Sequence, residues 1–320
     1  MLSRREVLII APFASAAALR QSGRVATSAS QPSTPIAFEV PAGACDCHTH
    51  IFGDPRRFPF AANRTYTPQS ASVEEMRTLH RALHTTRVVV VQPSVYGTDN
   101  ACTLDAIKQL GPNARGIAVI DDQAPDATLD EMDRAGIRGI RINLATTGQT
   151  DPDLGRRRFE AAVKRIGKRK WHVQMYTQLS VIEAMHKQIA ASPVPVVFDH
   201  FGGAQAAGSP SQRGFDILLD LVRSGRAYVK VSAPYRGSTA SPDFGDMGPL
   251  AKALIAANVR RILWGTDWPH PDTTPGRAPT EISLLRQVDD GRVFNEFATW
   301  ATEPEREAIL VHNPGQLYFS

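Results

Sequence analysis

Cysteine is scarce in this chain: Cys45, Cys47 and Cys102 are the only three in 320 residues. An odd number cannot close a complete disulfide set, and Cys45 and Cys47 sit too close along one extended segment for an easy bridge to each other. All three read as small buried hydrophobes. No uncharged apolar run reaches the roughly 18–20 residues that span a bilayer. The glycine-rich fingerprint of a dinucleotide fold is missing. So is the Gly-x-Ser-x-Gly elbow of a serine esterase, and "PSVYGTD" around Ser94 does not replace it. Charge of one sign is missing too. Residues 1–30 hold Arg4, Arg5, Arg20 and Arg24 against Glu6, a net +3 of the whole chain's +4. The remainder is left at about +1, with no basic field that argues for nucleic acid.

Those first thirty residues differ in kind from the rest. Arg4 and Arg5 precede an apolar stretch from Val7 to Leu19, and small residues follow. This is the pattern of an export signal, and the paired arginines specify the twin-arginine route to the bacterial periplasm. "ASA" at 14–16 and "SAS" at 28–30 are both candidate cleavage sites. The Ser-, Thr-, Gln- and Pro-rich segment that follows reads as a linker, over residues 31–43.

From Ala44 a unit repeats eight times: a short β-branched run, a loop, an amphipathic segment. The runs are "ACDCHTH", "RVVVVQPS", "RGIAVID", "GIRINL", "WHVQMYT", "VPVVFDHF", "AYVKVSA" and "RILWGTDW". Near-continuous apolar strands are what a parallel sheet covered on both faces requires. Helical patterns lie between them, one opened by the capping box Ser72 to Glu75, and a further amphipathic segment is expected over 280–289. Eight such units predict an α/β fold, a (β/α)₈ TIM barrel over 44–320 whose last thirty residues form extra helices. A doubly wound sheet is the alternative.

Barrel chemistry gathers where the strands end. The polar residues there are His48 and His50, Ser94, Arg141, Tyr176, His200, Arg236 and Asp267. Strand alternation puts Asp46, His48 and His50 on one face and the two cysteines on the other. With the histidines facing the lumen, the cysteines are expected to face the helices. Singly, each of these residues has an ordinary structural role. Together, at the ends of seven different units, they are expected to form a site.

At these residues the chain resembles the amidohydrolase superfamily, which carries His-x-His on its first strand and Asp on its last. "DCHTHIFG", "RFPF", "YTP", "GIRGIRINL", "VVFDHFG" and "LWGTDWPHP" narrow the resemblance to the 2-pyrone-4,6-dicarboxylate lactonase group, over roughly 44–275. Metal-binding members add a carboxylated Lys on strand four or a His on strand five. Here those strands end with Arg141 and Tyr176, and His172 stands at the wrong end of its strand. The resemblance therefore implies a metal-free hydrolase of a small, carboxylate-bearing lactone. Asp267 is the expected general base, with His48, His50 and His200 polarising the carbonyl. Arg141 and Arg236 are the expected clamps for substrate carboxylates, while Tyr66, Ser94 and Tyr176 add hydrogen bonds. Two rivals stand beside it. One is a decarboxylase or amidohydrolase holding one zinc or manganese ion on His48, His50, His200 and Asp267. The other is an exported binding protein for anionic small molecules. No nucleic-acid partner is expected, and no membrane once the signal is gone.

Overall fold

The structure is a computed structural model that describes residues 29–272 and 276–320. The expected export signal thus lies outside the described residues, apart from Ala29 and Ser30. Eight parallel strands follow one another in chain order: β1 Cys45–Thr49, β2 Arg87–Val91, β3 Ala114–Ala118, β4 Ile137–Asn143, β5 His172–Tyr176, β6 Val196–Phe198, β7 Ala227–Ser232 and β8 Ile262–Gly265. The last strand returns to the first. Thr49 bridges Trp268 in parallel, the His50 amide donates to the Trp268 carbonyl (2.7 Å), and the Asp267 amide donates to that of His48 (2.8 Å). This is a (β/α)₈ barrel.

The valine run of β2 shows why the strands are apolar throughout. Val89 and Val91 face the lumen while Val88 and Val90 pack under the helices, so both pleat faces are buried. Helices α1 Val73–Ala82, α2 Ala101–Leu110, α3 Asp126–Arg134, α4 Pro152–Ile166, α5 Leu179–Ala184, α6 His186–Ala190, α7 Phe215–Arg223 and α8 Gly248–Asn258 cover the outside. The capping box at Ser72 and Glu75 is formed. The extra C-terminal helices are α9 Asp290–Ala298, α10 Glu303–Glu307 and α11 Asn313–Tyr318. Tyr318 is fully buried and joins the lumen cluster.

Three expectations change. Residues 280–289 are not a helix. Ile282–Ser283 pairs in parallel with Thr67–Pro68 instead, and a short bridge over the site's rim replaces the expected amphipathic turn. Residues 31–38 are not a free linker. Ser33 and Thr34 donate four hydrogen bonds to Asp289, Asn295 holds Ala37 and Pro35, and Phe38 packs edge-on to Phe294. Polar composition signals a loop but does not tell a free loop from a docked one.

The third concerns β1. Its alternation breaks, because Asp46 pairs with Val88 and Thr49 with Val90, three steps against two. This is a β-bulge, and it reverses the side-chain parity midway along the strand. Cys45 and Cys47 therefore face the lumen, packed with Val89, Val91, Leu263 and Tyr318. His48 and His50 face it as well. Asp46 points outward to His80 on α1 (3.3 Å) and accepts from the Thr266 hydroxyl (2.7 Å). The thiols stay buried, and burial first among the causes pushes Cys45 well above the ordinary thiol range.

Candidate active site

Asp267 is the point on which the polar strand ends converge. It lies just past β8 with φ +66° and is fully buried. Left-handed backbone at a non-glycine residue is uncommon, and here His200 (φ +49°) and Ala233 (φ +47°) share it at the ends of β6 and β7. Oδ2 of Asp267 is saturated: it accepts from the Tyr235 hydroxyl (2.6 Å) and from Nε and Nη2 of Arg236 (2.9 and 2.7 Å). Oδ1 faces the three histidines instead, at 3.2 Å from His50 Nε2, 3.5 Å from His48 Nε2 and 3.7 Å from His200 Nε2. Burial works against this charge, yet Arg236 and the surrounding rings hold the carboxyl well below its ordinary range. Gly265 makes the convergence possible, since a Cβ there would stand 2.8 Å from that of His48.

Each histidine is held from behind through Nδ1. His50 donates to the Val91 carbonyl (2.8 Å) and His200 meets the Ser232 hydroxyl (2.9 Å). His48 Nδ1 lies 3.1 Å from Asp199 Oδ1 and 3.4 Å from Lys230 Nζ. Burial lowers His48 to about 3 and takes His200 well below the imidazole range, so both rings are neutral at pH 7.

A cavity of about 160 Å³ opens above this floor, lined by His50, His200 and Asp267 together with Tyr66, Ser94, Arg141, Tyr176 and Arg236. Of the expected site residues only His48 is outside the lining, sealed beneath it. Arg141 gives its Nε to Asp199 Oδ2 (3.1 Å), which leaves its two terminal nitrogens toward the cavity. Arg236 is spent more fully, because Nη2 also donates to the Pro271 carbonyl (3.0 Å). Tyr176 lies between the two guanidiniums, 5.4 and 5.8 Å from its ring centre. Burial pushes the Tyr66 hydroxyl up to about 12, which keeps it a hydrogen-bond donor. Arg138 stays outside the site and donates to the Asp133 carbonyl (2.9 Å).

The chain matches the amidohydrolase family over residues 45–319. It belongs to that family. Among curated amidohydrolase relatives, the 2-pyrone-4,6-dicarboxylate hydrolase of Comamonas testosteroni is 34% identical over 294 residues, 88% of this chain and 92% of its own. The 4-sulfomuconolactone hydrolase of Hydrogenophaga intermedia is 32% identical and covers 89% and 91%. A proposed 2-pyrone-4,6-dicarboxylic acid hydrolase from Pseudomonas putida superposes with a TM-score of 0.72 at 31% identity, covering 88% of this chain and 98% of that one.

Asp199, Lys230 and Tyr235 were not among the expected site residues. Each left a trace in the sequence. Lys230 interrupts the apolar run "AYVKVSA", and a charge in mid-strand of a covered sheet needs a buried partner. Asp199 is the lumen-facing position of "VVFDH". Tyr235 follows a strand end and left only its neighbour Arg236 as a sign.

Proposed function

We propose that this amidohydrolase opens a small, carboxylate-bearing lactone by attack of water, without a resident metal. The observation that carries the reading is Asp267 Oδ1, unoccupied by Arg236 or Tyr235 and surrounded by three histidine Nε2 atoms at the foot of a cavity that Arg141 faces. Water held by Oδ1 loses a proton to it and attacks the lactone carbonyl. His200 lines the cavity, and with its Nδ1 accepting from the Ser232 hydroxyl it offers an Nε2–H donor to the oxyanion. The ring C–O bond then breaks as the protonated Asp267 returns its proton to the leaving ring oxygen, and the new carboxylic acid releases a proton to solvent as the carboxylate. Arg141 offers a planar pair of donors to a substrate carboxylate, and Arg236 its one remaining nitrogen. The names of the relatives support this substrate class: pyrone dicarboxylate and sulfomuconolactone each present an anion beside a ring ester, as sugar-acid lactones also do.

A divalent cation also has a donor set here. His48, His200 and Asp267 each offer an atom within 4.8 Å of the others, and with His50 they would hold zinc or manganese. Such an ion would supply a water of lowered pKa. Charge favours the metal-free reading. Arg141, Arg236 and Lys230 already stand against the nearby carboxylates Asp199, Asp267 and Asp272. Adding a dication to that set leaves it with a net positive charge. The deciding experiment is a lactone-hydrolysis screen of the mature protein with and without chelator, beside elemental analysis. Turnover that survives chelation and is lost in Asp267→Asn is expected. One equivalent of metal per chain, with activity lost on chelation and restored by that metal, overturns the metal-free reading in favour of a metal-dependent hydrolase or decarboxylase. Binding of anionic lactones with no turnover at all selects a binding protein.

We also infer export by the twin-arginine route, on the strength of Arg4 and Arg5 before the apolar run. Replacing both with Lys is expected to retain the protein in the cytoplasm of a producing bacterium. Unchanged fractionation into the periplasm removes the claim.

A further inference from the structure

Lys230 is a charged side chain set in mid-strand in the barrel's own lumen, and the reaction described above does not use it. It is fully buried on β7. Its ammonium donates to Gln174 Oε1 (2.7 Å) and lies 3.4 Å from His48 Nδ1 and 3.5 Å from Asp199 Oδ1. A lysine ammonium has three donors and no acceptor. Whatever ring nitrogen it addresses must present a lone pair. A neutral imidazole with its lone pair on Nδ1 carries its proton on Nε2.

Asp199 competes for the same nitrogen. Its Oδ1 is nearer, at 3.1 Å, and would draw the proton to Nδ1. Direction favours Lys230. The lysine contact meets hydrogen-bond geometry, whereas Asp199 Oδ1 has no hydrogen-bond partner in direction as well as distance. Asp199 is also engaged on its other oxygen by Arg141 (3.1 Å).

We propose that Lys230 is a positioning residue that fixes His48 as the Nε2–H tautomer, turning a donor toward Asp267 Oδ1, 3.5 Å away at the foot of the cavity. The inference rests on the lactone-hydrolase reading and deepens it. A His48 that carries its proton on Nε2 offers no lone pair to a metal there, so one buried lysine both arms the donor and disfavours the ion. Burial depresses the ammonium's pKa while Asp199 opposes the shift. Asp199 in turn ties the His48 support to the Arg141 clamp.

The test is histidine-selective ¹⁵N NMR of the full mature protein, with His48 assigned by its disappearance in His48→Gln. The expected spectrum has His48 neutral and protonated on Nε2. In Lys230→Met the proton moves to Nδ1, toward Asp199. Kinetically, Lys230→Met lowers kcat by roughly 10–100-fold, the scale for losing a partner that orients a functional side chain, with KM changed by less than about threefold. Lys230→Gln, which keeps an N–H donor, restores part of that loss. A wild-type His48 protonated on Nδ1, or a tautomer unchanged by Lys230→Met, overturns the proposal. The wild-type spectrum needs no substrate and no variant. A misfolded Lys230→Met therefore leaves the tautomer decided, and a failed lactone screen counts against the reaction rather than against Lys230.

Discussion

Arg141 and Arg236 look equivalent in the sequence and are not equivalent in the barrel. Arg141 keeps two terminal nitrogens for a ligand, while Arg236 gives Nε and Nη2 to Asp267. Arg141→Met is therefore expected to lower kcat/KM for a carboxylated lactone by about 2–4 kcal/mol, the cost of truncating one partner of a buried charge pair. Comparison with a neutral lactone checks it: an equal loss on both substrates makes Arg141 a support for Asp199 and not a clamp. As the proposed base, Asp267 is expected to set the acid limb. Arg236 and the histidines outweigh burial and keep its carboxyl well below the usual range. The base is ionised above its pKa, so kcat/KM is expected to hold down to about pH 4, the ordinary carboxylate value. A kcat/KM profile that already falls near pH 6 assigns the proton transfer to another group.

At the scale of elements, the bulge in β1 and the end of α11 depend on each other. The bulge turns Cys45 and Cys47 inward, and Tyr318 covers them from the barrel's N-terminal side. Its hydroxyl is buried without a hydrogen-bond partner. The ring therefore stabilises the fold by packing, and the hydroxyl contributes little or costs something. Tyr318→Ala is expected to destabilise by about 3–5 kcal/mol, the range for emptying an aromatic site in a core. Tyr318→Phe is expected to be neutral or slightly stabilising. Urea unfolding midpoints of the two variants test the pair, and a Phe variant as damaged as the Ala variant shows that a buried water holds the hydroxyl.

For the whole molecule, the lumen makes folding sensitive to acid. His172 opens β5 at the barrel's lower end, and burial lowers it to about 3 from 6.5, with neither ring nitrogen hydrogen-bonded. Between those values the unfolded chain binds a proton that the folded chain refuses, so stability rises with pH across that window and is lost as pH falls. His172→Phe is expected to flatten the dependence of Tm on pH between 6.5 and about 4 relative to wild type; parallel curves assign the acid sensitivity to other buried groups. The barrel itself was legible in the sequence because a strand covered on both faces must be apolar at nearly every position, and eight such runs in chain order leave little other choice. Asp267, the three histidines and Arg141 were legible because polar side chains at the ends of apolar strands stand out. The direction of the cysteines was not. One extra residue in β1 reverses alternation, and a bulge is set by how β1 pairs with β2, not by its own residues. Nor was the difference between Arg141 and Arg236, or the hold of Lys230 on His48. Those depend on which side chains from strands about thirty or more residues apart meet at a few ångströms, and only closure of the barrel brings them together.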